Sequence, residues 1–262
     1  MSMPFFTPGN DPGSSLPDLL RRLGRDPFAW PADTTLAAGV PHATTCVAMR
    51  FSDGVVMAGD RRATSGNLIS HRTMEKVVEA DRFSGVAIAG AAGPAMEMVK
   101  LFQLQLEHYE KVEGQTLSLE GKANQLSGMV RANLPAAMQG LVVVPIFGGY
   151  DERRGDGRLW AYDVTGGRYE EREYVATGSG SLHAGTVIKV GYRSNMDRDA
   201  SINLLCRALW EAADADSATG GPDVLRSIYP VVATVTAEGF KRVDDEELRR
   251  RYETIASEVG PR

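Results

Sequence analysis

Proline placement constrains this chain more than any other feature. Seven of its 13 prolines (Pro4, Pro8, Pro12, Pro17, Pro27, Pro31 and Pro41) fall within the first 43 residues. Proline lacks a backbone donor and fixes φ, so this segment can hold neither long helices nor central strands. One short amphipathic piece stands out in it, SSLPDLLRRLG, with Leu16, Leu19, Leu20 and Leu23 at helical spacing. The segment reads either as a loose tail or as a removable or docking extension. From Ala43 onward the texture is that of one packed domain, and 262 residues suffice to bury a core without metal or disulfide staples.

Hydrophobic periodicity orders that domain. TTCVAMRF and GVVMAGD are apolar strands joined by the turn Ser52-Asp53-Gly54, and GNLIS and SGVAIAG are two more. Pro94 opens a helix running to about Glu110, with Leu101, Leu104 and His108 on one face, which makes His108 a core or rim residue. Residues 117–133 form a second helix around Leu126, Met129 and Val130. The strands LVVVPIFGGY, RLWAYDV and REYVATG follow, then helices over 181–192 and 200–214, the second with Leu204, Leu205, Ala208 and Leu209 as its stripe. PVVATVTAEG closes the sheet. A terminal helix starts with Asp244 and Glu247 in capping-box positions and carries Leu248, Tyr252, Ile255 and Val259. Strands in hairpin order with helices between groups imply an α+β fold of antiparallel or mixed sheets covered by helices.

Composition removes several function classes. The net charge of −5 argues against a nucleic-acid binder working through a basic surface. Cys46 and Cys206 make no disulfide framework, and His42, His71, His108 and His183 show no metal spacing, so no metal or other cofactor is expected. No stretch approaches the roughly 20 apolar residues of a membrane span, and the N-terminus lacks a secretory pattern. A soluble protein of a reducing compartment, the cytoplasm, is expected. Phosphate-loop, dinucleotide and serine-hydrolase motifs fail in turn. Gly180-x4-Gly185 precedes Thr186 with no lysine, and neither G-x-G-x-x-G nor G-x-S-x-G occurs.

The start of the folded region is specific. TTCVAMRFSDGVVMAGDRRAT, then Met74-Glu75-Lys76 and AIAGAAGPA, resembles a proteasome β subunit of the N-terminal-nucleophile hydrolase family. The resemblance continues through Arg158–Asp163, ATGSGS at 176–181 and ADSATGGPD at 215–223, and the long extension and the SATGGPD block resemble the bacterial (actinobacterial) type. It implies a four-layer α-β-β-α sandwich over 44–262, with 1–43 as a propeptide cut between Ala43 and Thr44. A threonine hydroxyl needs a base, and a free α-amino group, with a pKa near ~8, can serve as one.

By resemblance, Thr44 is the nucleophile, Lys76 the lysine whose charge lowers the proton affinity of the threonine site, and Asp60 the carboxylate orienting it. Gly90 supplies the oxyanion N–H, and Ser179, Asp216 and Thr219 form the polar network around the amine. Thr219 stands where many relatives have serine, and Ala43 where they have glycine, so slower self-cleavage is expected. Ala63 and Thr64 line the cleft, Thr64 pairing with substrate backbone. Ala63, Met74, Val78, Ile88, Ala92 and Met96 form an apolar first-subsite pocket, implying cleavage after hydrophobic residues. The implied partners are other β subunits in seven-membered rings, flanking α rings, a ring-shaped ATPase unfoldase, and unfolded substrates tagged by a prokaryotic ubiquitin-like protein. Two alternatives stand beside this reading: an α-less self-compartmentalised peptidase, and a non-catalytic ring scaffold.

Overall fold

A computed structural model describes residues 11–25, 44–65 and 68–259. The expected cut at Ala43, most of the leader, and the Gly66-Asn67 start of the GNLIS strand lie outside them. Within the leader, α1 (Leu16–Arg22) is capped by the Ser15 hydroxyl, which accepts from Asp18 N at 3.4 Å. Leu16 and Pro17 are buried and α1 rests against the first long helix of the domain, while Leu23, expected on the apolar stripe, is exposed beyond the helix end.

The domain is built on two five-stranded antiparallel sheets. Its strands, in chain order, are β1 (Thr45–Phe51), β2 (Gly54–Gly59), β3 (Ala63–Ser65), β4 (Leu68–His71), β5 (Val77–Asp81), β6 (Ser84–Gly90), β7 (Val143–Asp151), β8 (Asp156–Tyr162), β9 (Arg168–Glu171), β10 (Tyr174–Gly178), β11 (Val231–Thr236) and β12 (Gly239–Arg242). The helices are α2 (Ala92–Glu113), α3 (Leu119–Ala132), α4 (Leu134–Ala137), α5 (Ser181–Gly191), α6 (Arg198–Ala215) and α7 (Asp245–Val259). One sheet runs β10-β1-β2-β11-β12, the other β5-β6-β7-β8-β9, and β3-β4 form a separate hairpin.

Side-chain alternation makes this a four-layer sandwich. Val47, Met49, Val56, Ala58 and Val232 point to α5, α6 and α7, forming one core with Ile188, Leu205, Leu209 and Tyr252. Their strand neighbours Cys46, Ala48, Val55, Met57 and Ala233 point the other way, onto Ala87, Ile146 and Leu159 of the second sheet. The far face of that sheet packs Val86, Ile88, Phe147 and Trp160 on Phe102 of α2 and Leu126 of α3. Strands buried on both faces read as continuous apolar runs, which is why GVVMAG and SGVAIAG look as they do. Pro145 is tolerated inside β7 because β8 pairs with β7 only from Ile146 onward.

Several expectations need correction. Leu101, Leu104 and His108 are not the buried face of α2: Leu104 is exposed, and Ala95, Met98, Val99, Phe102, Gln105 and Leu106 face the core. His108 is half-buried, a rim position. Leu204 is only partly buried on α6, with Ile202 and Cys206 taking the core beside Leu205. The strand around 231–236 does not close its sheet, since β12 lies outside it. Asp244 Oδ1 accepts from Glu246 N at 2.7 Å, but Glu247 does not complete a capping box and instead pairs with Arg198 and Arg251. Two guanidiniums, Arg251 one turn further along α7 and Arg198 at the start of α6, take its carboxylate instead.

Candidate active site

The site forms where the ends of β1, β2 and β10 meet the loop after α6. Thr44 is buried immediately before β1, and Thr45 N donates to Asp60 Oδ1 at 2.9 Å. Asp60 sits just past β2, and its own N–H returns to Thr45 O at 3.1 Å. Lys76, just before β5, donates from Nζ to Asp60 Oδ1 at 2.6 Å and to Arg62 O at 2.5 Å. Asp60 and Lys76 are both fully buried. Burying charges is tolerated only with a partner and filled hydrogen bonds. Asp60 meets that condition: Oδ2 accepts from Arg62 N and Gly220 N, each at 2.9 Å, so four donors surround the carboxylate.

A second polar group lies on the other side of Thr44. Ser179 N donates to Thr44 O at 2.9 Å, and Ser179 Oγ donates to Asp216 Oδ2 at 2.6 Å. Thr219, fully buried, donates from Oγ1 to the same Asp216 oxygen at 2.6 Å, and Ala218 N donates to Asp216 Oδ1 at 3.1 Å. The chain can approach Thr44 this closely because residue 178 is glycine. It adopts φ +98°, and a Cβ there would lie 1.8 Å from Thr44 O.

Electrostatics follow from these contacts. Burial acts to raise the Asp216 pKa, but hydrogen bonds from Ser179, Thr219 and Ala218, with the nearby His183, outweigh it and hold the carboxyl below its ordinary value. A pKa lowered by folding stabilises the protein above the unfolded value, near ~3.9, and that contribution is lost as pH falls through the folded value. Asp216→Asn is therefore expected to lower Tm at pH 7, with the gap to wild type closing below about pH 4. Thermal melts across pH test this, and a gap that persists unchanged into acid refutes it. Beside Lys76, burial pushes the Cys46 thiol up to about 12 although the lysine pulls it down, and Cys46 Sγ donates to Ile88 O at 3.6 Å.

Gly90 ends β6 at the turn into α2, with φ +123°; a Cβ there would lie 2.0 Å from Val142 O. Of the expected pocket residues, Ala63 and Ile88 are buried, Ile88 within the core against α2, while Thr64, Met74, Val78, Ala92 and Met96 are half-buried. Ala92 and Met96 stand one turn apart at the start of α2. Thr45, the Arg62 carbonyl, Gly178 and Gly220 join the site without having been singled out from sequence. The doubled threonine at the strand start marks Thr45, and Gly178 and Gly220 fall within the ATGSGS and ADSATGGPD blocks. Among the described residues, no group of three or more His, Cys, Asp or Glu could hold a metal ion, and no helix is long and apolar enough to cross a membrane.

A four-layer sandwich whose first sheet strand opens on a buried threonine beside a lysine–aspartate pair is the fold of the N-terminal-nucleophile hydrolases. Sequence comparison narrows the class. The proteasome subunit family profile matches residues 40–226. A "Proteasome subunit beta" from Acidimicrobium ferrooxidans is 56% identical over 265 aligned positions, spanning 100% of this chain and 97% of that relative. Another "Proteasome subunit beta", from Streptomyces griseus, is 55% identical over 248 positions, spanning 93% and 86%. The chain belongs to the proteasome subunit family, and both of these relatives are named β subunits. A proteolytic subunit of the proteasome core is the role that membership implies.

Proposed function

We propose that this chain is a threonine-type endopeptidase that acts once residues 1–43 have been removed between Ala43 and Thr44. The freed amine of Thr44 takes the proton of its own hydroxyl, and Oγ1 attacks the carbonyl carbon of a substrate peptide bond. The resulting oxyanion is met by the Gly90 N–H, an interaction type worth roughly 3 kcal/mol. Collapse expels the amine half of the substrate, which takes the proton, and leaves an ester on Thr44. Water then attacks that ester, releasing the acid and restoring the hydroxyl. Lys76, fixed by Asp60, stabilises the deprotonating hydroxyl, and Ser179, Asp216 and Thr219 orient the amine.

The observation that carries this reading is the fully buried Lys76–Asp60 pair hydrogen-bonded to the residue after Thr44. A structural ion pair of that kind is costly to bury, whereas a hydroxyl awaiting activation makes use of it. The test is mass spectrometry of the purified particle after treatment with an epoxyketone proteasome inhibitor. A mature chain beginning at Thr44 and carrying the adduct there is expected; a chain beginning at Met1 that still digests polypeptides refutes the reading.

The same proposal extends to maturation, specificity and assembly. The leader is cut by Thr44 Oγ1 attacking the Ala43 carbonyl carbon; the Ala43–Thr44 amide bond breaks as the acyl group moves to oxygen, and water then hydrolyses that ester, slowly because Ala43 carries a Cβ where many relatives have glycine. Ala63, Met74, Val78, Ile88, Ala92 and Met96 are all apolar, so fluorogenic peptides ending in Leu or Tyr are expected to be hydrolysed in preference to those ending in Arg or Glu. Preferred cleavage after Arg overturns the pocket assignment. The assembly is a barrel of seven-membered β rings flanked by α rings, fed by an ATPase unfoldase with chains marked by a prokaryotic ubiquitin-like protein.

A further inference from the structure

Thr45 touches both halves of the site, one through its backbone and the other through its side chain. Its backbone N–H donates to Asp60 Oδ1 at 2.9 Å, on the Lys76 side. Its side chain turns to the opposite side, where Gly180 N donates to Thr45 Oγ1 at 2.9 Å and Thr45 Oγ1 lies 2.5 Å from Thr219 Oγ1. Thr45 and Thr219 are both fully buried.

Proton bookkeeping fixes the direction of every bond in this group. An ionised carboxylate only accepts, and a threonine or serine hydroxyl has a single proton to give. Thr219 gives its proton to Asp216 Oδ2 at 2.6 Å, and Ser179 gives its own to the same oxygen at 2.6 Å. Thr219 has none left for Thr45, so the Thr45 hydroxyl is the donor in the 2.5 Å contact. The chain runs from Gly180 N–H to Thr45, to Thr219, to Asp216, and each bond polarises the next in the same sense. A Cβ on Gly180 would lie 2.5 Å from Thr45 Oγ1 and 2.7 Å from Thr219 Oγ1, so only glycine lets the chain come this close to the two hydroxyls.

We infer that Thr45 is a positioning residue for the hydrolytic reaction: its hydroxyl, through Thr219, locks Asp216 and Ser179 against the Thr44 backbone, while its N–H ties the same dipeptide to Asp60. The inference rests on the assignment of Thr44 as nucleophile and adds a role to a side chain that does not meet the substrate. A buried hydroxyl serving only to satisfy itself would need one partner. This one joins, beside the Gly220 N–H on Asp60, two clusters that must keep register to fractions of an ångström.

The experiment compares wild type with Thr45→Val and Thr45→Ser in the assembled mature particle, using a peptide amide substrate and counting active sites by inhibitor titration. Valine keeps the bulk and removes the hydroxyl; serine keeps the hydroxyl. Thr45→Val is expected to lower kcat per titrated site by about tenfold or more with KM within about twofold of wild type, and Thr45→Ser to restore kcat to within about threefold. A merely structural role would reduce the number of titratable sites and leave kcat per site unchanged. If Thr45→Val does not assemble, Thr45→Cys, which retains size but only weak hydrogen bonding, is expected to show the same kcat loss. Wild-type kcat per site in Thr45→Val or Thr45→Cys overturns the inference, as does a Thr45→Ser protein as impaired as Thr45→Val. Failure of the underlying assignment is seen separately, as a wild-type particle in which inhibitor leaves Thr44 unmodified.

Discussion

Thr44→Ala is expected to lose peptide hydrolysis by on the order of 10⁴-fold or more, and to retain residues 1–43. Both losses come from one atom. Thr44 Oγ1 is the proposed attacking group toward substrate and toward its own leader, and no neighbouring group can substitute for it. The Ser179 and Thr219 hydroxyls are committed to Asp216, and the Cys46 thiol is buried and held protonated, with its pKa raised to about 12. Thiolate, not thiol, is the nucleophilic form, so Cys46 cannot serve. Peptide kinetics and N-terminal sequencing read the two effects independently. An alanine variant that matures and keeps even about 1% of the wild-type rate refutes the assignment.

Lys76→Met is expected to combine catalytic loss with destabilisation. Removing the ammonium leaves the Asp60 carboxylate buried without its counter-charge, a change that costs about 3–5 kcal/mol. For a chain of this size that lowers Tm by on the order of 10 °C, alongside a fall in hydrolysis of on the order of 10³-fold or more. Neutralising the carboxylate does not repair the damage. Both Asp60 oxygens accept backbone N–H groups, from Thr45 on Oδ1 and from Arg62 and Gly220 on Oδ2. The Asn in Asp60→Asn would set an NH₂ against at least one of these donors, so the double variant Asp60→Asn/Lys76→Met is expected to melt no higher than Lys76→Met alone. Calorimetry of the three proteins decides it. A Lys76→Met melt within about 2 °C of wild type would show that the pair carries no such strain.

Strands buried on both faces were legible because they leave no choice of period: the apolar runs of β1, β2, β6, β7 and β11 all match the expected strands. The edges were not. Arg168–Glu171 and Gly239–Arg242 carry one aromatic each among polar residues, and they pair only because a neighbouring strand offers them a ladder. The facing of α2 failed for a related reason. Its pattern fits more than one stripe, and the sheet beneath selects the one through Phe102 and Leu106. In the site, Thr44, Asp60 and Lys76 could be named from family blocks, and the structure brings Asp60 and Lys76 into contact beside the start of β1. Thr45 could not, because its hydroxyl partners lie 135 and 174 residues away along the chain.

That separation has a consequence for when the enzyme can exist. The Asp216–Gly220 stretch supplies a donor to Asp60 and the acceptor for Ser179, and it is made only after both sheets' central strands except β11 have been synthesised. In the proposed mechanism, a polypeptide that ends before that point lacks the groups that align Thr44, so an active centre needs the chain at least as far as Gly220.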